Sequence, residues 1–413
     1  MNVRWFSASI ALGCGASLAM FVACASNELA SDSEPPPNVS VPSVDAGSDA
    51  VADNDARDDP SLPCTDDVLC SFGPFEPSLE GGPLDLRTRI NAIRARNASD
   101  VWLVGVNGTV AHYDGTSWKR SDTGTTETMQ DVWLRDEDEV AISTLSSIYR
   151  RNFDAAAAGV DAGPPSAGGW VAVGEPSGSL LELQNSTKRV GSAWIAEGAE
   201  WVWLTTIEKI PEPGGSLTAL QSRVNGIWRL RVVPETNRLQ VAQVLPGGTC
   251  ATLGCRQMTS VHGSSADDLW IVGYSGNIIH ITGAQSATPA FKPFDSQTWA
   301  DLNGVWAASA TDAWAVGGRG VIRHYAGHPF AWDVVTDVPS TETLRAVWGS
   351  SPTDVWAVGD AATVLHYDGT SWSRVEIAGL GSRRPDLFAV WTPAPGRVWI
   401  GGDGVFLSLG GKP

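Results

Sequence analysis

The stretch SSPTDVWAVGDAATVLHYDGTSW, Ser350 to Trp372, nearly restates NASDVWLVGVNGTVAHYDGTSW, Asn97 to Trp118. Self-similarity of this kind constrains a fold more than composition does, because it marks stacked copies of one supersecondary unit. Aligned on the phrase, the chain yields seven units. Four are plain, at 90–118, 258–282, 302–327 and 344–372, and a fifth at 387–411 closes the chain. Two are interrupted. One, at 129–152, reaches Trp170 only after the insert FDAAAAGVDAGPPSAGG. The other runs from Gly191 past the insert IEKIPEPGG to SLTALQSRVNGIWRL, while Leu180 to Val190 fits no strand well.

Where inserts are absent the spacing is regular, with Trp306, Trp348 and Trp391 separated by 42 and 43 residues. Each unit holds short runs such as AVW, VWAVG, TVLHY and SWSRVEI, divided by Gly, Asp or Ser. These are strand lengths broken by turns, and DGTS carries the Asp-Gly signal of a tight hairpin. Four short antiparallel strands in about 40 residues describe one blade of a β-propeller. The expected fold is therefore all-β, a seven-bladed propeller of four-stranded antiparallel blades. Charged residues at 18%, with 44 Gly and 19 Trp, agree with a turn-rich β chain.

Three repeated positions carry expectations. An acid recurs in six units, as Asp100, Glu139, Glu200, Asp268, Asp312 and Asp354, with Arg397 in the last. It falls between the first and second strands, where a carboxylate is expected to accept backbone N–H bonds. Two residues on stands Trp102, Trp270, Trp314, Trp356 or Trp399, whose area suits packing between neighbouring blades. His112, His280, His324 and His366 share one third-strand position; such points on different blades do not converge, so they read as repeat residues and not as metal ligands. The last unit lacks a fourth strand. The segment CSFGPFEPSLEGG before the first unit is expected to supply it, anchored by Phe72 and Phe75, since native folds avoid an open sheet edge.

Ahead of the repeats the chain changes character. Arg4 and the apolar run to Cys24 make a targeting segment, interrupted by Gly and Ser and unlike a membrane span. Its end, FVAC (Phe21 to Cys24), resembles the lipobox of bacterial lipoprotein signal peptides, with Phe21 where Leu is usual. The resemblance implies a signal peptide over 1–23 and acylation of Cys24, and Ala25 implies the outer membrane; plain secretion is the alternative. Residues 24–70 read as a disordered acidic linker rich in Asp, Ser, Ala and Pro, and 71–413 as the propeller. Asp45, Asp49, Asp53 and Asp55 lack the Gly and terminal Glu of a calcium loop. Residues 25–80 hold 13 acids and one Arg of a total charge of −18, which leaves the repeats only mildly acidic and argues against nucleic-acid binding. In an oxidising compartment Cys64 with Cys70, and Cys250 with Cys255, suggest two local disulfides, crossed pairing remaining open.

The units resemble the blades of bacterial lipoproteins and secreted proteins built on DVWAVG…HYDGTSW, and more distantly the BNR or Asp-box propellers that include sialidases and photosystem assembly factors. The DGTSW turn is one residue shorter than a full Asp box. The resemblance implies the fold and leaves function open, because a propeller hosts many chemistries. The arginine segment Arg-Ile-Pro of sialidases is absent, as is a Gly-x-Ser-x-Gly elbow, and no catalytic residue, metal or cofactor is assigned. Loops between second and third strands share a face with the blade connections and vary at their tips: Asn107, Tyr274, Arg319, Asp360, Asp403, with Glu208 and Lys209 in an insert. A constant scaffold with one variable face suggests ligand binding there. The expected function is an envelope-anchored, monomeric interaction module for protein or glycan. A polysaccharide hydrolase or lyase is the alternative, and an assembly factor for an envelope complex a further one.

Overall fold

The computed structural model describes residues 63–75, 84–135, 138–144, 147–152, 154, 163–173, 188–208, 227–233, 238–245, 253 and 257–411. Six of the seven sequence units fold into four strands joined in order. In the fourth blade these are Met258–Ser265, Asp268–Gly273, Ile278–Thr282 and Ala290–Phe294, all antiparallel. The others span 90–120, 131–173, 188–245, 302–334 and 344–374, and a seventh is built from both ends of the described chain. The result is a seven-bladed β-propeller of four-stranded antiparallel blades. The remaining regular structure among the described residues is a two-residue strand, Ile377–Ala378, and two single turns of 3-10 helix, Tyr274–Gly276 and Gly318–Gly320. Val190, unplaced in the sequence, lies in the innermost strand of the third blade, Lys188–Trp194.

The seventh blade takes its first three strands from Leu387–Ala394, Arg397–Gly402 and Val405–Leu409. Its fourth is Leu69–Ser71, antiparallel to the last strand, with Leu69 opposite Leu409. The N-terminal segment thus closes the ring, as the missing strand required. It starts at Leu69, two residues ahead of the boundary drawn from the sequence. On its outer side Leu69 and Cys70 pair in parallel with Ile377 and Ala378. Phe72 packs edge-on against Tyr113 and beside Phe406, and Phe75 is buried in the same cluster. Cys64 and Cys70 form a disulfide; Cys250, Cys255 and Cys24 lie outside the described residues.

Burial between blades follows the second-strand tryptophans. Trp102 packs with Val132, Tyr149 and Trp170 of the second blade. Trp270 meets Tyr325 and Trp332 of the fifth, and Trp314 meets Tyr367 and Trp372 of the sixth. Trp356 and Trp399 do the same toward the seventh and first blades. A buried Trp removes on the order of 200 Å² from water, about 5 kcal/mol gross. Repeated around the ring, that term joins sheets that share almost no ladder.

The repeated acids have partners other than those expected. Asp100 Oδ1 accepts from Trp102 Nε1 at 2.8 Å and lies 2.7 Å from His112 Nε2, while the His112 ring stacks on Trp102 at 4.1 Å. Asp268, Asp312 and Asp354 hold His280, His324 and His366 in the same way. In the second blade Glu139 holds Arg151 at the same offset of 12 residues. Asp100, Asp268, Asp312 and Asp354 begin the second strand, Glu139 is its second residue, and all five bond side chains. Within the repeat, the aspartates of the DGTS loops do accept backbone N–H groups, Asp114 from Thr116 and Ser117, and Asp368 from Thr370 and Ser371. Burial pushes the Asp354 carboxyl up, but hydrogen bonds from His366, Ser350 and Trp356 outweigh it and hold the group below its ordinary value.

Candidate functional site

Two ends of the propeller differ in how they are built. At one end the second and third strands are joined by two-residue turns in which both central residues have positive φ: Asn107–Gly108, Ser275–Gly276, Arg319–Gly320 and Ala361–Ala362. This is the type I′ turn, whose twist matches the flanking strands. The next blade connection lies over each turn, so that Gly108 N–H bonds Glu127 O and Gly320 N–H bonds Glu342 O, both at 2.8 Å. The residues read from the sequence as tips therefore occupy two positions. Asn107 and Arg319 sit exposed at the first central residue, while Tyr274 and Asp360 precede it and are half-buried. Glu208 ends the strand Val202–Glu208, and Lys209 is outside the described residues.

Asp360 and Asp403 are drawn into one cluster at this end. Arg89 bonds Asp403 at 2.8 Å, and Arg345 bonds Asp360. Both guanidiniums lie over the Phe388 ring, at 4.1 and 4.7 Å from its centroid. Arg345 and Phe388 reach this place because the innermost strands of their blades carry a β-bulge at those residues. A bulge turns an extra side chain out of register. In three other blades the bulged residue bonds a carbonyl at the start of the next innermost strand: Asn91 to Met129, Thr259 to Leu302 and Asn303 to Leu344. These side chains line an upper axial cavity of about 130 Å³. It is small, polar and largely committed to bonds within the ring.

The opposite end opens wider. A cavity of about 670 Å³ is lined by Trp133, Trp194, Trp348 and Trp391, with Arg94, Arg96 and Glu197. The walls are the lower halves of innermost strands and the turn Ala196–Ala199 between the first and second strands of the third blade. One repeat-equivalent position of the innermost strand, four residues after its start in five of the blades, points to the axis here. Around the ring it reads Arg94, Trp133, Trp194, His262, Trp306, Trp348 and Trp391. Glycines make room for it: a Cβ on Gly349 would stand 2.6 Å from the Trp306 ring, and one on Gly263 2.7 Å from Trp194.

Arg94 and Trp348 line both cavities and so stand between them. Arg94 reaches Asp131 at 3.1 Å, and its guanidinium lies 5.5 and 5.6 Å from the ring centroids of Trp348 and Trp391. Asp131 also accepts the Ala193 and Val132 N–H groups; burial raises its carboxyl pKa, with Arg94 opposing. His262 packs edge-on against Trp348 at 4.7 Å, and its Nδ1 accepts from Ala307 N–H at 3.1 Å. Burial, with Arg94 adding to it, pushes the imidazole down to about 3, so the ring is neutral. Among the described residues no group of three or more His, Cys, Asp or Glu side chains is arranged to hold a metal ion. The chemistry on offer is aromatic surface, backbone polar groups and the Glu197 carboxylate, which has no ion partner among the described residues.

Sequence reasoning pointed at the loop-tip end and did not single out this pocket. Its signal was present in the 42- and 43-residue spacing of Trp306, Trp348 and Trp391. Convergence on the axis shows only once the innermost strand is known.

No protein-family model matches the chain, and no curated protein matches it. Solved structures match by shape. The structure of YCF48 bound to D1 peptide aligns with 81% of this chain and 96% of its own, at TM-score 0.53 and 15% identity. YCF48 from Cyanidioschyzon merolae aligns over 79% of this chain and 97% of its own, at TM-score 0.55 and 15% identity. The extracellular domain assigned to a hybrid two component system of B. thetaiotaomicron covers 79% of this chain and 40% of its own, at TM-score 0.53 and 10% identity. The likeness is one of fold.

Proposed function

We propose that the chain is a lipid-anchored interaction module of the bacterial envelope, holding an extended segment of a protein partner in its wide axial pocket. One observation carries the binding reading: four tryptophans from four blades converge on a concave site of about 670 Å³. Pockets of this size, lined by aromatics with few polar groups, are the usual form of a ligand site. Trp194, Trp348 and Trp391 keep part of their surface in contact with solvent. That the YCF48 propeller has been solved with a peptide bound supports a protein segment over a glycan. The anchor rests on Cys24 after Phe21–Val22–Ala23, and the acidic segment that follows would be its stalk.

The test is binding of the full chain to arrayed peptides and arrayed oligosaccharides, with wild type against Trp194→Ala/Trp391→Ala. A peptide set retained by wild type and weakened about 30-fold in the variant is the expected result. Retention of oligosaccharides alone would move the ligand to glycan, and their cleavage would make the protein an enzyme. Radiolabelled fatty acid incorporated by wild type and not by Cys24→Ser tests the anchor.

A further inference from the structure

We infer that the wide axial pocket takes a cationic side chain, lysine or arginine, of the segment it binds; this rests on the function proposed above. Indole faces attract cations through their quadrupole, and guanidinium does so while keeping its stem against apolar surface. The pocket already contains one instance. Arg94 sits over Trp348 and Trp391 from the axial side, which leaves Trp194 and the outer parts of these rings facing the opening.

Charge points the same way. Arg94 is matched by Asp131. Arg96 binds both Asp100 and Glu139, and Arg151 shares Glu139. Two arginines and two carboxylates cancel there, which leaves Glu197 as the uncompensated charge of the lining. Glu197 is exposed on the turn Ala196–Ala199 at the pocket rim and makes no ion pair among the described residues. A single carboxylate beside solvent-facing indoles is complementary to one cation. The cavity of about 670 Å³ leaves room for the backbone that carries it.

The experiment titrates the full chain, by calorimetry and by tryptophan fluorescence, with blocked pentapeptides Ala-Ala-X-Ala-Ala, X being Arg, Lys, Gln or Glu. A neutral oligosaccharide is titrated in parallel. The cationic peptides should bind about fivefold tighter than the Gln peptide, with Glu weakest. Glu197→Gln, an exposed turn change that spares the fold, should erase the preference for Arg over Gln. Equal binding of Arg and Gln peptides, both lost in Trp391→Ala, would overturn the cation and leave the peptide pocket standing. An Arg preference that survives Glu197→Gln would also overturn it. Binding of the oligosaccharide alone, or of no probe, would overturn both readings.

Discussion

His262 is one residue with an outsized influence on acid stability. It takes the place that five blades give to Trp, and its neutral ring accepts the Ala307 N–H across the blade boundary. In the unfolded chain a histidine titrates near about 6.5, whereas here burial holds it to about 3. The unfolded state therefore binds the extra proton first. Stability from this group is complete above about pH 6.5 and is lost as the pH falls toward about 3, at a slope approaching 1.4 kcal/mol per unit. Asp131, with its raised pKa, works in the opposite sense and is common to both proteins compared. Chemical denaturation from pH 7 to 4 should show a shallower loss for His262→Asn than for wild type, although the variant is less stable at pH 7. Parallel curves would mean the ring is not buried neutral. The histidine was visible in the sequence, but its place in the tryptophan series was not. Likewise Asp100 and its counterparts were legible as repeated acids, whereas their bonding to a His 12 residues on depends on which residues face each other across two strands.

Among elements, hairpins divide into those legible in sequence and those legible only in part. DGTS marks a turn, but Tyr113 pairs with Trp118, so the loop has four residues and is wider than the dipeptide signal suggests. The tight turns are the ones whose tips vary. Gly320 has φ +67°, and a Cβ there would stand 2.1 Å from Ser340 O of the connection above it. Gly320→Ala should lower stability by about 1–2 kcal/mol in denaturant melts, through left-handed strain and loss of the close approach. Ala362 holds the corresponding place in the sixth blade at φ 58°, so the smallest side chain can be housed when the connection is formed to suit it. A neutral Gly320→Ala would indicate that the connection relaxes freely. The bulges that aim Arg345 and Phe388 at the axis had no sequence signal of their own, because a bulge changes register without changing the hydrophobic alternation around it.

For the whole molecule, the number of blades and the manner of closure were both readable from the repeat, since a last unit one strand short must borrow from elsewhere. What the repeat could not give was the axis, where five tryptophans meet one arginine and one histidine. Closure is brief: Leu69–Ser71 holds three residues of ladder. The Cys64–Cys70 bridge, with a sequence separation of 6, restrains that end of the strand. Cys64→Ser/Cys70→Ser should lose about 2 kcal/mol and melt several degrees lower, with wild type in reductant behaving like the variant. If reductant and substitution both leave the melt unchanged, the strand holds without the bridge.

The position of that strand also decides how the propeller meets mechanical force. Any pull transmitted through residues before Cys64 passes across the Sγ–Sγ bond to Cys70, bypassing the turn between them, and arrives directly on the strand that shuts the ring. That strand lies between Val405–Leu409 and Ile377–Ala378, so the load is shared as shear along two neighbours and does not peel one bond at a time. A tether attached at this point turns the seal of the ring into its load-bearing joint, and a tug strong enough to free it would open the blade bordering the first.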